Sequence, residues 1–175
     1  MERSVLINDD STETETETTF MNMHLFLIEN EQFLNPDMSS YVKSIVKYIA
    51  GFIVFQLNKK LHCENCLAAI KSDFDVKTLI FKKSKGYLKY PANSVVTICE
   101  ITEKCLRIEQ SVNGKLGVIS KKCQNKIIIE VCKVLFNQIL FQNYNDHMKE
   151  NNHYGMLLKM IINNFLNLRY QYISM

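Results

Sequence analysis

The apolar positions of this chain recur mostly at helical spacing. After the N-cap signal Met38-Ser39-Ser40, residues Val42, Ile45, Ile49, Phe52 and Ile53 form a stripe, and this predicts a long helix from about Tyr41 to Lys60. Val46, Tyr48 and Phe55 widen the stripe, so the helix is expected to be covered on most sides, with Gly51 letting another element pack closely. Cys63 to Ser72 reads as a second, short helix. A third starts at Asn93 or Ser94 and reaches about Ser111, where Asn113-Gly114 signals a turn. Ser120 caps a fourth, running to about Gln142 through Ile127, Ile128, Val131, Leu135 and Ile139. A polar loop is expected over 143–153, then a last helix from about Tyr154 to Tyr172.

Two regions break the helical pattern. Thr78 to Tyr90 reads as a short extended segment, a basic turn at Gly86 and a return before Pro91, which predicts a small β-like hairpin. Ser11 to Thr19 alternates Thr and Glu and holds no aliphatic residue, so it cannot bury enough surface to offset the entropy of ordering. Residues 1–19 are therefore expected to be a disordered acidic tail. Residues 20–175 are expected to form one mainly α domain, with Phe20 to Leu34 as a short helix ending before Asn35-Pro36.

Composition narrows the class. With 175 residues, 47% apolar and 10% aromatic, the chain suits a single globular domain. No apolar run approaches the ~18–20 residues needed to span a bilayer, so no membrane partner is expected. Met1-Glu2-Arg3 leads to Asp9-Asp10 and not into an apolar signal segment. The six cysteines are accordingly expected to be reduced thiols of an intracellular protein. Net charge is +3, but residues 1–38 carry −8 and the rest +11. A body so basic suits either solubility or contact with a polyanion such as DNA.

Candidate chemistry is confined to a few places. Cys63-x-x-Cys66 offers two thiolates from one turn, and His147-x5-His153 offers two imidazoles from the loop before the last helix. Together Cys63, Cys66, His147 and His153 can make one structural Zn2+ site tying the first long helix to the last, with His62 as a substitute ligand. The competing reading is two small buried thiols and two loop histidines. Cys99, Cys105, Cys123 and Cys132 fall within helices and are expected in the core. Lys82, Lys83, Lys85 and Lys89, interleaved with Phe81, Tyr87 and Tyr90, are the candidate nucleic-acid-binding residues; the alternative is a solvated basic hairpin. Glu100 and Glu103 are expected on a solvated helix face. No set of carboxylates converges as two-metal strand transfer requires.

Three stretches together resemble the C-terminal region of P-element-type DNA transposases, the group that includes the THAP-domain transposases. They are Tyr48-Ile-Ala-Gly-Phe-Ile with Cys63-x-x-Cys66; Leu79-Ile-Phe-Lys-Lys-Ser-Lys-Gly-Tyr-Leu-Lys-Tyr-Pro91 with Val95 to Arg107; and His147-x5-His153 with Leu157 to Ile162 and Asn167-Leu-Arg169-Tyr. In the family the middle motif usually reads Gly-Gly-Leu and Tyr-Pro-Ser, where this chain has Gly86-Tyr87-Leu88 and Tyr90-Pro91-Ala92. The resemblance implies a region downstream of the RNase H-like catalytic domain, so no catalytic residue is expected here. It implies a nuclear, non-catalytic module with a structural or interaction role in DNA transposition, whose partners are DNA, transposase subunits or other nuclear proteins. The alternatives are a degenerate transposon remnant or partial gene model without independent function, and, more remotely, a metal-dependent nuclease.

Overall fold

A computed structural model describes residues 38–73, 80, 82, 88–113, 121–136 and 138–173. The expected acidic tail and the expected helix at 20–34 lie outside them. Four long helices form the body: α1 (Ser40–Asn58), α3 (Asn93–Asn113), α4 (Lys121–Leu135) and α6 (His153–Ile173). Two short ones, α2 (Glu64–Ala69) and α5 (Asn145–Lys149), accompany them among the described residues. Both α3 and α6 pack against each of the other three long helices.

Helix α1 starts where its sequence says it should. The Ser39 hydroxyl accepts the Val42 N–H at 3.4 Å, satisfying one of the free donors of the first turn. Its buried face is Val46, Ala50, Ile53, Val54 and Leu57, rotated from the stripe read in the sequence. Ile45, Phe52 and Phe55 are half-buried on another side, where Phe52 and Phe55 meet at 6.1 Å and Lys59 lies 4.2 Å above the Phe55 ring. A helix apolar on nearly every side does not reveal by periodicity which side faces the core.

The core is continuous across the long helices. Ile53 and Leu57 of α1, Ile98 and Leu106 of α3, Ile127 and Leu135 of α4, and Leu157, Ile161 and Phe165 of α6 are all fully buried or nearly so. Each such side chain contributes on the order of 1.5–3 kcal/mol relative to remaining in water.

The expected β-like hairpin is overturned. Among the described residues there is no β-strand: Ile80 and Lys82 are helical, and Leu88–Tyr90 is irregular. Three apolar residues, Leu79 to Phe81, are too few for periodicity to separate strand from helix. The buried side chain of Ile80 sits against Gly51, and an added Cβ on that glycine would come within 2.8 Å of Ile80 Cδ1 and of the Lys89 carbonyl oxygen. Gly51 thus permits the close packing expected of it. The β-like pairing that does exist lies elsewhere. Lys71 and Pro91 form an isolated antiparallel bridge, flanked by Ser72 N–H to Tyr90 O and Ala92 N–H to Ile70 O, each 2.9 Å. Pro91 has no N–H to give, so the ladder cannot grow through it.

Helix α4 stops seven residues short of the expected Gln142, and Ile139 is 70% exposed instead of continuing the stripe. Phe141 takes a left-handed backbone (φ 55°), and its N–H donates to Ser94 Oγ at 2.9 Å. Ser94 therefore holds the α4–α6 connection, not the start of α3. The expected polar loop at 143–153 is folded into short pieces: 3-10 turns at Gln142–Tyr144 and Glu150–Asn152 surround α5.

Candidate metal centre

Cys63 occupies the N-cap position of α2 and Cys66 lies one turn further on, so the C-x-x-C spacing turns both thiols to one side. Cys66 is fully buried and Cys63 partly so. Opposite them, His147 is carried by α5, a helix of five residues held down by the buried Met148. His153 is the first residue of α6 and follows Asn152, whose backbone is left-handed (φ 59°). Asparagine tolerates that conformation better than most residues. Gly155 leaves room for the exposed Asn152 side chain, whose Oδ1 would lie 2.5 Å from a Cβ added there.

These placements converge. His147 Nε2 lies 3.2 Å from Cys63 Sγ and 3.4 Å from Cys66 Sγ, and His153 Nδ1 lies 3.1 Å from Cys66 Sγ. The two imidazole rings are 4.3 Å apart and inclined at 47°. All four ligand atoms fall within 4.8 Å of one another. Four lone-pair donors so arranged can coordinate a single metal ion. With protein alone around it, the Cys66 thiol is pushed up to about 12, first by burial and then by the hydrogen bond and charge of Cys63. A cation among the donors reverses that preference, because a coordinated thiol is held as thiolate. His62 is exposed and stands outside the cluster.

The remaining candidates separate clearly. Lys82 and Lys89 are exposed; Lys83 and Lys85 lie outside the described residues. Cys99 and Cys105 are buried, with burial raising both thiols, and Cys123 and Cys132 are half-buried in the helical body. The expectation of a solvated Glu103 is overturned, for it is only 2% exposed. Arg169 grips it with Nε to Oε2 at 2.8 Å and Nη2 to Oε1 at 2.9 Å, while Arg107 Nε reaches Oε1 at 2.9 Å. The Glu103–Arg107 spacing of four residues was visible in the sequence, but Arg169, 66 residues away, was not linked to it.

Comparison with known proteins gives the ancestry. A family model described as the C-terminal domain of DNA transposase THAP9 matches residues 37–175. DNA transposase THAP9 of Homo sapiens is 30% identical over 147 residues, covering 76% of this chain and 16% of the relative. No solved structure matches. Among the described residues, no helix is long and apolar enough to cross a membrane.

Proposed function

This chain belongs to the family of THAP9 DNA transposase C-terminal domains, and from it we propose a zinc-stapled, DNA-contacting module that serves DNA transposition in the nucleus. Its role is non-catalytic and structural or interactive, as the family match indicates. The match spans only 16% of that relative's length, and the proposal concerns this region alone.

The observation that carries the zinc reading is the convergence of Cys63, Cys66, His147 and His153. Zinc takes sulfur at about 2.3 Å and nitrogen at about 2.0–2.1 Å, so a tetrahedral site has S···N edges of about 3.6 Å. Three S···N edges of this cluster, 3.1–3.4 Å, lie close to that value, and all four ligand atoms fall within 4.8 Å of one another. A complete set of four protein ligands leaves no open position for substrate or water. That is the form of a structural zinc, not of a hydrolytic one. Bound there, the ion ties α2 to the α5–α6 junction, two segments more than eighty residues apart.

DNA contact rests on the basic body and on exposed Lys82 and Lys89, to which Lys83 and Lys85 belong in sequence. Transposase subunits are the alternative partners of the same module.

The test of zinc is metal analysis of protein purified without added metal, together with cobalt substitution. One zinc per chain and the visible absorption of tetrahedral thiolate-bound cobalt are expected. Protein without stoichiometric metal, with folding indifferent to chelator, would sink the proposal. For DNA, binding should weaken steeply with salt, and replacing Lys82, Lys83 and Lys89 with Gln should flatten that dependence. A slope unchanged by the triple substitution removes the patch from the account.

A further inference from the structure

The two histidines do not present equivalent atoms. For His147 it is Nε2 that faces both thiols, at 3.2 and 3.4 Å; for His153 it is Nδ1, at 3.1 Å from Cys66 Sγ. An imidazole that ligates through one nitrogen carries its proton on the other, and the partner of that second nitrogen fixes the ring. Facing the second nitrogen of His147, Glu150 Oε2 lies 3.9 Å from Nδ1, a gap that a small turn of the exposed carboxylate closes to hydrogen-bond length.

The backbone favours the same arrangement. Glu150 closes α5, and its N–H donates to the His147 carbonyl oxygen, so main chain and side chain both bracket His147. His147 reaches inward from α5 with its longer arm, the ring atom furthest from the backbone. His153 starts α6 directly after the left-handed Asn152 and offers the ring nitrogen nearest its own backbone.

We propose that the metal is held asymmetrically, through Nε2 of His147 and Nδ1 of His153, and that Glu150 is the positioning residue that receives the His147 Nδ1–H. The proposal rests on the zinc reading and adds to it the ligand atoms and a fifth residue. The site accordingly takes a divalent ion that accepts mixed sulfur and nitrogen donors, and Zn2+, Co2+ and Cd2+ are the probes for it.

The test uses the full chain, 15N-labelled and loaded with zinc or with 113Cd. Long-range proton–nitrogen correlation should place the metal-bound nitrogen at Nε2 in His147 and at Nδ1 in His153, with 113Cd coupling on the same atoms. In the same spectra, the His147 Nδ1–H should exchange slowly with water. Glu150→Ala should speed that exchange and weaken zinc by about three- to tenfold, below the roughly 10–100-fold usual for a ligand-orienting partner because the carboxylate is mostly exposed. Glu150→Gln, which keeps an acceptor oxygen, should restore most of both. Metal bound through Nε2 of both rings overturns the asymmetry while leaving the zinc site standing. Proton exchange and affinity within twofold of the parent in Glu150→Ala remove Glu150. Failure to bind any of the three ions defeats this proposal and the zinc reading together.

Discussion

Two of the polar clusters among the described residues are built on opposite terms. Glu103 is held between Arg107 and Arg169 on α3 and α6, two long helices that the core already fixes. Its two oxygens meet three guanidinium N–H donors, so the protein supplies both signs of charge. Cys63, Cys66, His147 and His153 instead stand at the N-terminus of α2, on the short α5 and at the first residue of α6. All four offer lone pairs, and none brings a positive charge with a fixed claim on the site. The first cluster is complete as folded, whereas the second gathers donors whose chemistry is satisfied by a cation. Burying the first tightens the contact of α3 with α6. Burying the second makes sense as a metal clip on segments too short to hold themselves as helices.

The largest effect expected on this contrast comes from Cys66→Ser, which should abolish stoichiometric zinc while the apolar core keeps the four long helices folded and the Glu103 cluster intact. Metal analysis beside circular dichroism reads both halves, and zinc retained at one per chain contradicts the assignment of Cys66 as a ligand. Arg169→Ala should do the reverse. It leaves a buried carboxylate with one partner and costs about 3 kcal/mol in urea unfolding, while zinc content is unchanged. A loss below about 1 kcal/mol would mean that Arg107 and water suffice for Glu103.

Gly51→Ala probes neither cluster, only the packing that sets α1 against Ile80 and Lys89. The added Cβ would stand 2.8 Å from a backbone oxygen, which must shift, so a loss of about 1–3 kcal/mol is expected. An unchanged melting temperature refutes that tight contact. Acid should separate the clusters more gently. Zinc binding displaces protons from both thiols and needs neutral imidazoles, so zinc affinity should fall at every step as pH drops from 7.5 towards 5.5. Zinc titrations at several pH values check this, and pH-independent affinity in that range contradicts thiolate and imidazole ligation.

The same contrast shows what the sequence could and could not convey. Cys63-x-x-Cys66 was legible because one turn of chain sets its spacing, and His147-x5-His153 because ligand chemistry restricts the residue types. That the pairs meet across eighty residues is a property of the bundle, and only the structure supplies it. Glu103 was misread because two glutamates one turn apart, Glu100 and Glu103, are the ordinary signature of a solvated helix face. Nothing local announces a buried partner on α6. The start of α1 followed from Ser39, and the span of α6 followed from Leu157, Leu158, Ile161, Ile162, Phe165 and Leu166 at helical spacing. The end of α4 did not follow, because Phe141 adopts a left-handed turn that its residue type disfavours and that Ser94, 47 residues away, helps to hold. The short run around Ile80 carried too few residues to declare helix over strand.

The account turns on whether the four donors share one ion, and X-ray absorption at the zinc edge of the full chain asks that most directly. A first shell of two sulfurs at about 2.3 Å and two nitrogens at about 2.0–2.1 Å is predicted, and Cys66→Ser should abolish the bound zinc. A shell made of oxygen and nitrogen alone, or one unchanged by that substitution, would contradict it.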